Sequence, residues 1–376
     1  MDILVVTWNF PPRCGGIEKL LAGLCDGLRK NHRLLIITSY ANDRCPDDKD
    51  TFRPPYPGLV TFFLYAFCKG VLLLRRHSAV KMVFGGSVLV VPVVLLLSRL
   101  FRRKAVVQAH GLDLIYQHTL YQSLFVGSLK FCDKIIANSS YTASLIHQKT
   151  ARTDLTAIIP PGVTLENFMR SVDVHAIKTD YGLQGKQMIL FVGRLVPRKG
   201  VKEFIENCLV EILSEFPAVC FVIVGDNPND ALTHHDDVLG NITSLITEMK
   251  LNEHVKLLGA LDDDAVVDLY QACDIVVLPA LAMLDDIEGF GIVLLEAAAA
   301  GKPVVATRTG GIGEAVEPGK SGVLIAPDDY KSMTQSITQL LADRETRLAI
   351  GEYAQSRVKE KFSWRAIIPR YEKELF

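Results

Sequence analysis

The sequence predicts an α/β protein of two Rossmann-like, doubly wound parallel-sheet domains facing each other across a cleft. Three observations predict it. Short apolar, β-branched runs recur along the 376-residue chain and alternate with segments of helical spacing, as central parallel strands and their crossover helices do. Glycine-bearing loops follow several of these runs, at the strand ends where open α/β sheets bind ligands. A Pro-Pro-Gly stretch at 160–162 divides two series of such units and reads as a linker.

Residues 2–7 form the first strand. The loop Trp8-Asn9-Phe10-Pro11-Pro12-Arg13-Cys14-Gly15-Gly16-Ile17-Glu18 follows, and Leu20, Leu21, Leu24 and Leu28 space a helix over 19–30. Strand, glycine loop and helix start make a phosphate cradle. The full dinucleotide fingerprint is absent, so a nicotinamide cofactor is not indicated. Residues 34–39 are a strand, 41–57 a polar, Pro-rich loop, and 59–74 an apolar, aromatic helix ending in Arg75-Arg76-His77. Residues 80–84 are a strand and 88–101 a helix ending in Arg102-Arg103-Lys104. The apolar run 83–97 contains Gly85, Gly86, Ser87 and Pro92 and is short for a membrane crossing. It reads as a buried strand and helix. The strand at 105–109 leads to His110-Gly111-Leu112-Asp113, and the strand at 133–139 to Ser139-Ser140-Tyr141-Thr142, which caps a helix.

The second series opens with a strand at 188–193, which runs into Gly193-Arg194-Leu195-Val196-Pro197-Arg198-Lys199-Gly200 and a helix over 201–216. Strands at 219–225 and 255–258 follow, the latter leading to Gly259-Ala260, whose bare backbone suits a nucleobase. His234-His235-Asp236-Asp237 lies in an irregular polar loop, which fixes no metal geometry. Asp262-Asp263-Asp264 caps a helix. After the strand at 274–278, a loop carrying Glu288, Gly289 and Gly291 opens a helix over 290–300, stopped by Gly301. Glu296 sits inside that helix between leucines and alanines. A carboxylate near such a surface needs hydrogen-bond donors, which sugar hydroxyls supply. Strands at 302–307 and 322–326 flank another glycine loop, Thr309-Gly310-Gly311-Ile312-Gly313-Glu314.

A formal net charge of −1 argues against a general nucleic-acid binder, and 49% hydrophobic residues exclude global disorder. Eight scattered cysteines without a Cys-x-x-Cys suit a reducing cytoplasm and indicate neither disulfide frame nor zinc site. Met1-Asp2 leads straight into a strand, so no signal peptide is expected.

Glu288 and Glu296 match the Glu-x7-Glu signature of the retaining, two-domain (GT-B) glycosyltransferases of family 4, and the chain resembles that family throughout. Pro11-Pro12 with Gly15-Gly16 is similar to its Pro-Pro-x-x-Gly-Gly loop, His110-Gly111 to its His-Gly, 193–200 to its Gly-Arg-Leu-x-x-x-Lys-Gly, and 310–314 to its Gly-Gly-x-x-Glu. The resemblance implies metal-independent transfer of a hexose, mannose favoured, from a GDP- or UDP-type sugar to a lipid-linked or saccharide hydroxyl, with no cofactor. It implies catalytic roles for Glu288, His110, Arg194 and Lys199. Donor binding falls to Gly15, Gly16, Gly193, Arg194, Lys199, Gly259, Glu288, Gly289, Phe290, Gly291, Ile292 and Glu296. Within that set, Glu288 holds sugar hydroxyls, Glu296 ribose hydroxyls, and Arg194 and Lys199 the diphosphate; His110 contacts the transferred sugar. It further implies an acceptor-binding domain over 1–168, a donor-binding domain over 169–355, and a final helix over 356–376 that crosses back. The long loop 280–287 and the run Arg194-Leu195-Val196-Pro197-Arg198-Lys199-Gly200 look like the lipid-mannosylating branch. Phe84-Gly85-Gly86-Ser87 replaces a common family histidine, and Thr164 replaces the usual Asp of the hinge. A nucleotide-sugar epimerase or a phosphorylase would use the same fold; no motif for a phosphorylase's pyridoxal cofactor is visible.

Phe62, Phe63, Tyr65 and Phe67, with Arg75-Arg76 and Arg102-Arg103-Lys104, predict reversible docking on an anionic membrane. The expected place of work is therefore the cytoplasm, peripherally at the inner membrane face.

Overall fold

The computed structural model describes residues 1–41, 48–227, 237–283 and 286–376. Most of His234-His235-Asp236-Asp237, together with Asp285 and part of the 41–57 loop, lies outside these. The chain divides into two compact units, Met1–Gly162 with Trp364–Phe376, and Val163–Ser363.

The first unit holds seven strands: β1 (Asp2–Val6), β2 (Arg33–Ile37), β3 (Thr51–Phe52), β4 (Val80–Gly85), β5 (Lys104–Ala109), β6 (Lys134–Ala137) and β7 (Thr156–Ile158). They lie in the order β3-β2-β1-β4-β5-β6-β7, and every pairing is parallel. The central strands are buried because helices cover both faces, which is why they read as unbroken apolar runs. The strand β3 corrects the sequence reading of 41–57 as loop throughout: two residues pair with Ile36 and Ile37 at the sheet edge. They were too short to give a periodic signal.

Helix α1 (Gly16–Arg29) buries Leu20, Leu21, Leu24 and Leu28. Helix α2 (Leu59–Arg76) buries Phe62, Ala66, Gly70 and Leu73, one face at helical spacing. A one-turn 3-10 segment, Val88–Val90, precedes α3 (Val91–Phe101), so the predicted helix over 88–101 begins tighter than an α-helix. Gly70 lets α3 approach α2: a Cβ there would fall 2.5 Å from Leu97 Cδ1. The last helix, Trp364–Leu375, belongs to this unit, where Tyr371 donates a 2.8 Å hydrogen bond to Gln108 of β5.

The second unit holds β8 (Gln187–Val192), β9 (Val219–Val224), β10 (Val255–Leu257), β11 (Ile275–Leu278), β12 (Val304–Thr307) and β13 (Gly322–Ile325). Their order is β10-β9-β8-β11-β12-β13, again all parallel. Both sheets are therefore doubly wound. The chain reverses direction between β1 and β4 in the first and between β8 and β11 in the second. Ligands of such sheets bind at the carboxyl ends of the strands beside the reversal. The loops after β8 and β11 are 193–200 and 279–291, the two that carry the charged residues singled out above.

Candidate functional site

In the second unit the two switch-point loops meet through charge. Lys199 Nζ lies 2.7 Å from Glu288 Oε2, and Arg198 Nη1 bonds the same oxygen. Arg198 also reaches back to Asp286, Nε to Oδ1 2.8 Å. All four side chains are nearly closed to solvent, with Glu288 the most open at 13%. Backbone contacts fix the frame: Leu281 N–H donates to Arg198 O at 2.8 Å and Gly311 N–H to Glu288 O at 2.9 Å. The second contact needs Gly310. Its φ is +50°, and a Cβ there would lie 2.1 Å from Glu288 O.

Burial pushes the Glu288 carboxyl up, but Lys199 and then Arg198 overcome it and hold its pKa at about 2, against an ordinary 4.5. For Lys199 the balance falls the other way: burial outweighs Glu288 and lowers its pKa. For Arg198 burial is outweighed by Glu288 and Asp286, and its pKa rises. A carboxyl with a depressed folded pKa contributes stability that is full above its unfolded value and disappears as pH falls through the folded one. Wild-type protein should therefore lose stability between pH 4.5 and about 2. In thermal melts across that window Glu288→Gln should show a shallower decline; an identical slope would contradict the pairing.

Helix Ile292–Ala299 begins two residues later than predicted. Gly291 has a φ of +84°, outside helical space, and Phe290 is buried against Phe362 with ring centroids 6.0 Å apart. Gly289 and Ile292 on either side are half-buried. Glu296 lies inside this helix, 7% exposed. Tyr270, from the helix Asp263–Ala272, donates to its Oε2 at 3.1 Å. Burial and then Glu296 push the Tyr270 phenol well above its ordinary pKa, so it stays a donor. Arg194 is exposed, Gly193 has a φ of +155°, and the Cβ position of Gly259 is open, with no atom within 4 Å.

In the first unit the loops after β1, β4 and β5 converge. His110 is buried, and its Nε2–H donates to Gly86 O at 2.8 Å. Asp113 accepts from His110 N at 3.0 Å and from Val88 N at 3.1 Å, so one carboxylate ties two loops together. Asn138 Nδ2 donates to His110 O at 3.3 Å. The Phe84-Gly85-Gly86-Ser87 stretch thus holds His110 through the Gly86 carbonyl. Gly15 caps α1, and the buried Glu18 folds over it, accepting from Asn9 Nδ2 at 2.7 Å.

The sequence reading missed Arg198, which pairs with Glu288, Asp286, which pairs with Arg198, and Tyr270, which holds Glu296. Arg198 had a signal, its place beside Lys199. Tyr270 had none, since its spacing is that of a core helix residue. The membrane reading is corrected at Phe62, which is fully buried; Phe63 and Tyr65 are half-buried, and only Phe67 of the four is exposed. Among the described residues no three His, Cys, Asp or Glu are grouped to hold a metal ion, and no helix is long and apolar enough to cross a membrane.

Residues 14–167 match Glycosyltransferase Family 4, and residues 174–357 match Glycosyl transferases group 1. The chain belongs to this family of two-domain glycosyltransferases, the GT-B class, and is itself a glycosyltransferase. A GDP-mannose-dependent alpha-(1-6)-phosphatidylinositol monomannoside mannosyltransferase of Mycolicibacterium smegmatis is 26% identical, over 96% of this chain and 95% of its own. A D-inositol 3-phosphate glycosyltransferase of Corynebacterium jeikeium is 32% identical over 62% of this chain and 55% of its own. Among solved structures, Anabaena HepE in complex with UDP superposes with a TM-score of 0.80 at 24% identity, over 100% of this chain and 99% of that one. Sucrose-phosphate synthase from Thermosynechococcus elongatus gives 0.81 at 21%, over 99% and 97%.

Proposed function

We propose that the protein is a retaining, metal-independent hexosyltransferase that takes its sugar from a nucleoside-diphosphate donor and passes it to a lipid-linked or saccharide hydroxyl in cell-envelope glycoconjugate synthesis. The observation that carries the reading is the Arg198–Glu288–Lys199 cluster at the switch point of the second sheet. Cation and carboxylate lie side by side there, as a diphosphate and sugar hydroxyls joined by one bond require. The leaving diphosphate gains charge as that bond breaks, and Lys199, Arg194 and the N–H groups at Gly289 to Ile292 supply compensating charge. With two cationic side chains in that role, the reading needs no metal and no cofactor. Glu288 takes the sugar hydroxyls, Glu296 the ribose hydroxyls, and Gly193 and Gly259 lie against the nucleotide. We assign His110 to the sugar and Gly15-Gly16 to the donor diphosphate and the acceptor, with the Glu18 carboxylate beside them suited to an acceptor hydroxyl. The names of the similar mannosyltransferases favour GDP-mannose and a phosphoinositide glycolipid.

The reading is tested by incubating the protein with GDP-mannose, UDP-glucose or UDP-N-acetylglucosamine, each with and without membrane lipid extract. Release of nucleoside diphosphate should depend on the extract. A free epimerised sugar nucleotide formed without extract would mean an epimerase, and a requirement for inorganic phosphate a phosphorylase.

We also propose peripheral docking on the anionic inner membrane face. Support comes from a second face of α2: Val60, Leu64 and Phe67 are exposed at i, i+4, i+7 spacing, opposite the buried one. Leu96 and Leu100 are exposed on α3, and Arg75, Arg76, Arg99 and Arg102 are exposed at the helix ends. Each basic residue near an anionic surface contributes about 1 kcal/mol, screened by salt. Liposome sedimentation should show binding that requires anionic lipid, weakens at high salt and drops for Val60→Ser/Leu64→Ser. Equal binding to neutral liposomes, or to neither kind, would remove the membrane from the account.

A further inference from the structure

Asp286 and Arg198 have no part in the reaction as set out above, yet they are among the most deeply buried charges of the second unit, at 3% and 6% exposure. Burying charge is expensive unless it is paired, so their arrangement needs a reason. Asp286 is too enclosed to meet a ligand. Its guanidinium partner touches two carboxylates at once, Asp286 through Nε and Glu288 through Nη1. A planar fork spans two acceptors in fixed geometry, whereas the ammonium of Lys199 is a point charge free to change partners. Glu288 thus has one rigid partner and one exchangeable partner.

We propose that Asp286 and Arg198 are positioning residues: Asp286 orients Arg198, Arg198 holds the Glu288 carboxylate, and Lys199 turns to the donor diphosphate without releasing the glutamate from its place on the sugar. This rests on the reading that Glu288 meets the transferred sugar. It adds that recognition of the sugar, apart from the nucleotide, depends on a side chain that touches neither.

The test compares affinities for GDP with GDP-mannose, and for UDP with UDP-glucose, by calorimetric titration of wild type, Asp286→Asn, Asp286→Glu and Arg198→Lys. Thermal melts first confirm that each variant is folded at the assay temperature; the two variants that retain charge serve if Asp286→Asn is not. Wild type should prefer the sugar nucleotide in one pair. Losing one charge-assisted contact should shrink that preference about tenfold in Asp286→Asn, with affinity for the bare diphosphate within about twofold, a shift too small for lost contacts. Asp286→Glu should recover most of the preference, and Arg198→Lys, which cannot span both carboxylates, only part. An unchanged preference in the variants overturns the proposal. So does a parallel loss of affinity for diphosphate and sugar nucleotide, which marks a merely structural role. Wild-type protein that binds none of the four nucleotides overturns the functional reading itself, and the positioning role falls with it.

Discussion

Lys199→Ala is expected to cut turnover by about a hundredfold or more, the cost of removing one preorganised charge from a developing anion. Lys199 is almost fully enclosed and is held 2.7 Å from Glu288 by the turn that follows β8. The turn fixes its backbone before a donor arrives, so only the ammonium has to swing from Glu288 to the diphosphate. The loss should fall on kcat more than on KM, because the interaction strengthens only as the sugar leaves. Arg194→Ala should act in the same direction and by a similar factor. Lys202→Ala is the control: Lys202 is 47% exposed and pairs with Glu206 one turn on, so its turnover should match wild type. Steady-state rates with saturating acceptor decide the matter; near-normal turnover for Lys199→Ala would remove the diphosphate from that side chain.

The second large effect is on stability. Arg198→Ala leaves Asp286 and Glu288 buried with Lys199 as the cation at Glu288. Breaking a buried pair from one side costs about 3–5 kcal/mol, because the charge left behind stays desolvated. For a unit of this size each kcal/mol lowers the melting temperature by about 2–4 °C. A drop of roughly 10 °C is therefore expected by calorimetry. Arg152→Ala, which removes an exposed pair with Asp154, should leave the melting temperature unchanged. Equal melting temperatures for Arg198→Ala and wild type would mean that the cluster is solvated.

Much of this was legible in the sequence, and the reason is physical. Val219 to Val224 is buried on both faces of a parallel sheet, so every residue is apolar and the strand announces itself. The same holds for residues 3–6 of the first strand and for Ile275–Leu278. Thr51–Phe52 was invisible because an edge pairing of two residues is set by its neighbour, not by its own pattern. Glu288, Lys199 and His110 were singled out by their places after strands together with the family motifs they match. Their partners were not, because pairing is three-dimensional. Nothing local says that Arg198 rather than Arg194 turns toward Glu288, or that Tyr270 from another helix meets Glu296. The helix expected from residue 290 was placed by composition, and the backbone at Gly291 moved its start. The aromatics of α2 were read as one group, whereas helical geometry sends Phe62 inward and Phe67 outward.

The central claim is that this chain moves a sugar off a nucleoside diphosphate with retention and without a metal. The most direct measurement follows 13C-labelled mannose from GDP-mannose by NMR in the presence of membrane lipid extract and a chelator. The account predicts that the donor's anomeric signal decays while a new glycosidic signal of the same α configuration grows, and that neither changes without the extract. A β product, a label that remains nucleotide-bound as an epimer, or activity that disappears in chelator and returns with a divalent cation would contradict it.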